Sequence, residues 1–163
     1  MRSRPYVDLK LPASAQPGSQ LRIGVNLEAT SRTPIDFIDV NISGRERVND
    51  AEQARSNYRS ILSHKIRIAE NITLEEGKHT FEAVYTLPDD IPFSYTGYLS
   101  EIQYNVGAEV SIPWWLDANE RMDLIIAPRP IARPARFPLI ASKENTTDPF
   151  IEFVIDDRYF SPG

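Results

Sequence analysis

Alternation of apolar and polar residues at every second position is the feature that most constrains this chain. In LRIGVNLEA, all the residues from Leu21 to Ala29 at odd positions are apolar. Successive side chains of a strand point to opposite faces, so such a row marks one buried face of a half-exposed strand. Comparable rows recur at 38–42, 62–68, 79–87, 102–112 and 122–126. Ile35 and Phe37 fall in the opposite phase to Ile38, which predicts a bulge or a strand entry between them.

Strands that each have one apolar face must be stacked as two sheets to bury those faces. The thirteen prolines fall largely in the corners between rows, as in chains with many short strands. The sequence therefore predicts an all-β fold, an antiparallel immunoglobulin-like sandwich. One segment departs from the pattern. Residues 49–59, NDAEQARSNYR, pair Asp50 with Gln53 as a capping box, which predicts a short helix or an excursion loop.

The pattern ends at Pro128, so residues 1–128 are expected to form one sandwich. Residues 129–148 are rich in proline and arginine and then polar, which is typical of an extended linker. Residues 150–155, FIEFVI, repeat the class pattern of YVDLKL at 6–11. We interpret 149–163 as the first strand of a second sandwich that is truncated here. The alternative is that this strand adds to an edge of the first domain.

Composition excludes several classes of function. The formal net charge of −5 argues against nucleic-acid binding, which needs a basic face. The absence of cysteine removes disulfides, thiolate nucleophiles and cysteine-based metal sites. The sequence has no run of 18 apolar residues, so no transmembrane segment is expected. We see no apolar core of a signal peptide and expect a cytoplasmic protein.

Residues that could carry catalysis do not converge in the sequence. His64 and His79 both lie in apolar rows, where a structural histidine that donates a hydrogen bond to the backbone is the better interpretation. No serine or aspartate stands at a spacing that makes a triad with either. Asp89 and Asp90 lie between two prolines, as in a solvated turn. We therefore predict no enzyme activity, no metal and no cofactor.

Aromatic residues provide the candidate interaction surface. Trp114 and Trp115 are neighbours, so on a strand one would enter the core and the other would stay exposed, as an edge cover or as an interface anchor. Phe93, Tyr95 and Tyr98 form an aromatic corner that either pins the chain to the sandwich or lines a peptide groove. Edge strands add a route to partners by β-augmentation, including homodimerisation by edge pairing.

A family resemblance follows from four consecutive segments. The turn GKHTF leads into a strand, followed by LPDDIPFSY, then IQYNVGAEVSIPWWLD, then DLIIAP. This order resembles the N-terminal domain of arrestin-like proteins over about residues 6–128. That group includes the arrestins, the arrestin-domain trafficking adaptors, the small retromer subunit and the bacterial sporulation-control proteins. The residues that carry the resemblance are Gly77, His79, Pro88, Pro92, Ser94, Tyr104, Val106 and Ala108.

The resemblance implies a non-enzymatic scaffold or adaptor that binds protein partners through strand edges and loops. Receptor-type arrestins have paired lysines on the first strand, whereas this strand has Lys10 with Arg2 and Arg4 before it. We therefore do not expect phospho-receptor recognition. No Pro-Pro-x-Tyr motif supports the trafficking branch, and the acidic chain is nearer to the microbial sporulation-control relatives. The alternative is a carbohydrate- or small-ligand-binding sandwich in which Trp114, Trp115 and Tyr98 stack on sugar rings.

Overall fold

The computed structural model describes residues 4–50, 55–114 and 116–129, together with the backbone of 139–142 and 152–155. No described residue is helical, and the strands pair antiparallel, as an all-β fold requires. The strands are β1 Tyr6–Lys10, β2 Gln20–Ala29, β3 Thr33–Asp50, β4 Arg55–Leu74, β5 Gly77–Thr86, β6 Tyr95–Thr96, β7 Ser100–Ser111, β8 Ala118–Leu124, β9 Leu139–Ser142 and β10 Glu152–Ile155. The prediction of an antiparallel sandwich is confirmed.

Two sheets enclose the core of the first compact unit, Met1–Ala127. The small sheet has the order β1-β2-β5, and the large sheet has the order β4-β3-β7-β6, with β8 also paired to β7. Their inner faces are the period-two rows that the sequence shows. The core includes Leu21, Ile23, Val25 and Leu27 of β2, Ile38, Val40 and Ile42 of β3, and Tyr104, Val106, Ala108 and Val110 of β7.

The second unit, Pro128–Gly163, contains β9 and β10, which pair antiparallel with Ile155 opposite Leu139. Strand β9 therefore lies inside the segment 129–148, for which the sequence predicts a linker. Residues 149–151 and 156–163, where the truncated second sandwich was placed, lie outside the described residues. That assignment stays a prediction.

The segment 49–59 is neither a helix nor an excursion loop where it is described. Residues 49–50 end β3 and 55–59 begin β4, with Asp50 opposite Arg55 and Asn49 opposite Ser56. The Ser56 hydroxyl donates to Asn49 Oδ1 at 3.0 Å. Residues 51–54 lie outside the described residues. The expectation of a helix is wrong for the described part because backbone pairing in a long hairpin outweighs a weak capping signal.

The bulge predicted near Ile38 lies one residue further along β3. The register between β3 and β4 shifts between Ile38 and Asp39, so that β4 contributes an additional residue there. Ile35 and Ile38 are both buried, whereas Phe37 turns to the outer face of the large sheet, where the Arg67 guanidinium lies 4.4 Å from its ring centroid. The additional residue at this shift belongs to β4, so the change of phase within β3 lies between Ile35 and Phe37, before the register shift.

Tyr104 fixes the proline-rich corner to the core. Its side chain is 1% exposed, and its hydroxyl donates to the carbonyl oxygen of Pro92 at 2.7 Å. The ring packs so closely on Gly44 that a Cβ there would lie 2.4 Å from a ring carbon. Ser94 completes the anchor: its backbone N–H donates to the Ile126 carbonyl, and its hydroxyl accepts from the Ile126 N–H at 2.9 Å. The corner motif in the sequence is therefore structural.

Burial raises the pKa of Tyr104 to about 12. Because the folded pKa is higher than the unfolded one, this group stabilises the fold fully below pH ~10 and loses that contribution as the pH rises towards ~12. We expect the wild-type free energy of unfolding to fall by about 2 kcal/mol over that range in excess of a Tyr104→Phe variant.

At pH 7 the same Tyr104→Phe variant should be less stable by about 1–2 kcal/mol, because the Pro92 carbonyl loses its donor. Urea unfolding at pH 7, 10 and 11.5 measures both effects. Parallel pH profiles for the two proteins would contradict the assignment.

Candidate interaction surfaces

The two histidines have structural contacts. His79 Nε2 donates to the carbonyl oxygen of Glu75 at 2.8 Å, which bridges the turn from β4 into β5. That turn contains Gly77 with φ 126°, a conformation that favours glycine. His64 stacks on Tyr85, with ring centroids 4.4 Å apart. Within the described residues, no group of three or more His, Asp and Glu side chains is arranged to hold a metal ion.

One side of the sandwich is closed and the other is open. On the closed side, the Ala15 N–H donates to the Ile125 carbonyl and the Ala127 N–H donates to the Ala15 carbonyl, at 2.9 and 2.8 Å. On the open side, a turn connects β4, which belongs to the large sheet, to β5, which belongs to the small sheet. These two strands do not pair with each other. The stack of His64 on Tyr85 spans this opening.

Strand β5 has the most regular free edge on the open side. All ten of its residues pair with β2 in one unbroken register, from Gly77 opposite Ala29 to Thr86 opposite Gln20. No described strand pairs with its other edge. Its outward-facing residues carry two charges, on Lys78 and Glu82, and include Val84, which is 49% exposed. Such an edge is a template for an added strand.

Strand β4 also has a free edge, but that edge is interrupted. The register with β3 shifts twice, at Ile38/Asp39 and at Gly44/Arg45, and Asn71 has φ 51°. Between the shifts, the regular run is limited to residues 62–67. Bulges and charged side chains protect an edge from pairing. Of these two strands, β5 therefore offers the better edge for augmentation.

The outer face of β3 and β4 carries an ion pair in which the carboxylate is buried and the arginine is partly exposed. Asp39 is 0% exposed, and its carboxylate accepts from Arg67 Nε and Nη2 at 2.9 and 3.2 Å. The hydrogen bonds from Arg67 lower the pKa of Asp39 against the opposing effect of burial, and Lys65 lowers it further. This pair stabilises the fold above the ordinary pKa of Asp39 and loses that effect as the pH falls through the lowered value. Sequence reasoning missed it because Asp39 lies in a polar row.

Trp114 does not enter the core. It lies in the loop between β7 and β8, is 96% exposed and has φ 59°. Asp117 Oδ1 accepts from the Ile112 N–H at 3.3 Å across this loop. Trp115 lies outside the described residues, so its predicted place remains untested. A bulky residue at positive φ is a conformational outlier, and Trp114 recovers little of that cost through burial.

The aromatic corner lies at the opposite end of β7. Phe93 is half-buried and packs on the core, whereas Tyr95 and Tyr98 are exposed. Tyr98 precedes β7 and Trp114 follows it, so the twelve residues of that strand separate the two by about 36 Å. Tyr98 and Trp114 therefore cannot stack on the same sugar ring. Phe93 pins the corner, while Tyr95 and Tyr98 remain candidates for contact with a partner.

Comparison with known proteins gives a matching family model and a number of similar solved structures. The family model for the N-terminal domain of arrestin (or S-antigen) matches residues 20–130. The crystal structure of the sporulation control protein Spo0M from Bacillus subtilis is similar, with a TM-score of 0.61 and 22% sequence identity. The alignment covers 76% of this chain and 49% of Spo0M, so the chain spans about half the length of that protein. At this identity the likeness shows the fold.

No curated protein sequence matches the chain. No helix among the described residues is long and apolar enough to cross a membrane.

Trp114 generates a prediction about stability. Glycine adopts positive φ without the steric cost of a side chain, and Trp114 buries little surface that a substitution would lose. We expect Trp114→Gly to be more stable than Trp114→Ala by about 1 kcal/mol and at least as stable as the wild type. Urea unfolding of the three proteins measures this. A lower stability for Trp114→Gly than for Trp114→Ala would show that the backbone conformation is not strained.

Proposed function

Because the chain belongs to the arrestin N-terminal-domain family, we propose that it is a non-enzymatic, cytoplasmic scaffold that binds a partner protein by strand addition at β5. The cysteine-free composition suits a reducing compartment, where disulfides are rare. The contacts of His64 and His79 with Tyr85 and with a backbone carbonyl fit structural roles for both histidines.

The observation that supports this proposal most directly is the unbroken edge of β5. Main-chain hydrogen bonds from an added strand supply affinity, and side-chain contacts supply specificity. At β5 those contacts would come from alternate outward-facing residues, among them Val84. The half-buried Phe81 and Tyr85 point towards the core side of the same edge. An added strand would cover the outward-facing residues of β5 as well as Phe81 and Tyr85.

The exposed loop residue Trp114 is the second element of the proposed interface. Tryptophan is enriched among the residues that carry most of the binding energy in interfaces. The hydrogen bond from the Ile112 N–H to Asp117 joins the two ends of this loop, which limits the backbone freedom that the loop loses on binding. We assign it the role of an anchor for a partner, separate from the β5 edge.

A second copy of the chain is one candidate for the added strand. If two β5 strands paired antiparallel about Thr80, Lys78 of each copy would face Glu82 of the other. Glu82 already pairs with Arg22 at 3.2 Å, so such a dimer would extend an existing charge row. The carbohydrate-binding alternative has no comparable support, because Tyr98 and Trp114 lie at opposite ends of β7.

Substitution of Val84 by glutamate tests the edge. The new carboxylate would lie opposite Arg22 on β2, which is favourable for folding, but it would place a charge beside the added strand. We expect affinity for the partner to fall about tenfold or more, which corresponds to about 1.4 kcal/mol. Partners captured from a cell extract are identified by mass spectrometry, and their affinities are then measured by calorimetry; sedimentation measures self-association.

The matched control is Ile125→Glu, since Ile125 is also an exposed aliphatic residue, at 55%, and lies outside the strands. Equal losses of affinity in both variants, or none in Val84→Glu, would contradict binding at β5. Retained binding by Trp114→Ala would remove Trp114 from the interface but not the edge.

A further inference from the structure

A cavity of about 270 Å³ on the outer face of the large sheet is lined by side chains from β3, β4, β7 and β8. Its polar lining includes three arginines, two serines and an asparagine: Arg45, Arg59, Arg121, Ser43, Ser60 and Asn105. No acidic side chain lines it. We call this cavity the arginine pocket. In a chain with a formal net charge of −5, a concentration of positive charge at one cavity is unexpected.

Two of the three guanidinium groups lack a compensating carboxylate among the described residues. Arg59 Nε pairs with Glu46 Oε2 at 3.1 Å. Arg45 lies over the ring of Tyr58, 5.0 Å from its centroid, and forms no ion pair with a described residue. The same is true of Arg121. Two like charges that line one cavity repel each other, and a bound anion would reverse that repulsion.

The pocket also offers neutral donors in a fixed arrangement. The Ser43 hydroxyl donates to Asn105 Oδ1 at 2.8 Å, which orients the Asn105 amide and leaves its N–H groups available. The cation–π contact with Tyr58 favours the position of the Arg45 guanidinium over the ring, and a guanidinium edge presents two parallel N–H groups. A planar carboxylate matches that fork with two hydrogen bonds.

A larger groove of about 600 Å³ continues from the arginine pocket and shares Asn105 and Arg121 with it. Asn41, Gly107 and Arg121 lie directly opposite one another on β3, β7 and β8, so they share the outer face. Gly107 has no side chain and forms a depression in this row. Asn41 and Asn119 line the groove as well. Side-chain amides both donate and accept, which matches the peptide groups of an extended chain.

Glu109 and Glu120 also line this groove, away from the arginine pocket. Glu109 lies 3.4 Å from Lys65 Nζ, which offsets part of its charge. The outer face therefore has two arginines without an ion pair to a described residue at the arginine pocket, bordered by Asp123 opposite Asn105 on β8, and a polar, partly acidic end at the groove. A ligand with a carboxylate at one end and neutral or basic groups at the other is complementary to this distribution.

We propose that the outer face of the large sheet binds an extended segment of a partner protein, with an acidic side chain in the arginine pocket and its backbone across Gly107. This inference rests on the proposed function, since it assumes that the domain binds proteins. It uses a different face from the β5 edge. Strand addition at β5 and side-chain recognition at the arginine pocket are therefore separable.

The test uses defined peptides with a fluorescent label: hexaglutamate as the probe, hexaglutamine as the neutral control and a hexapeptide with one phosphoserine among glutamines. Fluorescence anisotropy at low ionic strength measures their affinities. We expect saturable binding of hexaglutamate, no binding of hexaglutamine, and weakening of the hexaglutamate complex by salt.

Three variants separate the pocket from bulk charge. Arg121→Gln should weaken hexaglutamate binding about tenfold through loss of charge-assisted hydrogen bonds. Gly107→Leu changes no charge and fills the groove; its Cβ would meet the nearest atom, the Glu120 carbonyl oxygen, at an ordinary 3.5 Å. It should also weaken binding severalfold. The matched control is Arg22→Gln on the small sheet, an exposed arginine whose loss should change affinity less than about twofold.

These changes in hexaglutamate affinity support the proposal when all three variants keep the thermal unfolding midpoint of the wild type within a few degrees. Equal weakening by Arg22→Gln would show that only net charge matters and would overturn it. So would unchanged affinity in Arg121→Gln and Gly107→Leu, or binding of the phosphoserine peptide without binding of hexaglutamate. The edge proposal is tested by Val84→Glu with a captured partner, so failure of either proposal leaves the other measurement intact.

Discussion

The mutual burial of two apolar sheet faces is the constraint on which the rest of this structure depends. The inward-facing side chains of β2, β3 and β7 pack against one another. Tyr104 is the largest of the fully buried side chains in the described part of the chain. Because side chains alternate along a strand, the register that buries these rows also fixes every outward-facing residue. The positions of Asn41, Asn105 and Arg121 on one outer face are therefore consequences of core packing, and the arginine pocket rests on a rigid base.

The strand rows and the corner were predictable because each depends on local sequence. A period of two persists in β2 and β7 because both strands cross the core. The proline-rich corner contains its own anchors: the Ser94 hydroxyl accepts from the Ile126 N–H, and the Pro92 carbonyl accepts from the Tyr104 hydroxyl. The strand ends at 49–50 and 55–59 were not predictable in this way. They extend beyond the core, so neither face is apolar, and long-range backbone pairing decides their structure.

The candidate surfaces depend on geometry that sequence spacing does not contain. Arg45 and Arg121 are 76 positions apart, yet both line one cavity because β7 lies between their strands. The free edge of β5 could not be foreseen either, since its neighbour along the chain, β4, joins the other sheet. The tryptophan pair shows a related limit: alternation holds along a strand, whereas Trp114 lies in a loop, so the sequence could not tell which tryptophan would be exposed.

The unequal closure of the sandwich has a consequence for motion. Backbone hydrogen bonds between Ala15 and the 125–127 segment join the sheets on one side, whereas the stack of His64 on Tyr85 spans the other. Transient separation of the layers will begin where the weaker contact is, so amide protons of β5 will exchange with solvent sooner than those of β7. The β5 edge, where a partner strand would be added, is thus the part of the sandwich that opens most readily, and binding there would reduce this opening.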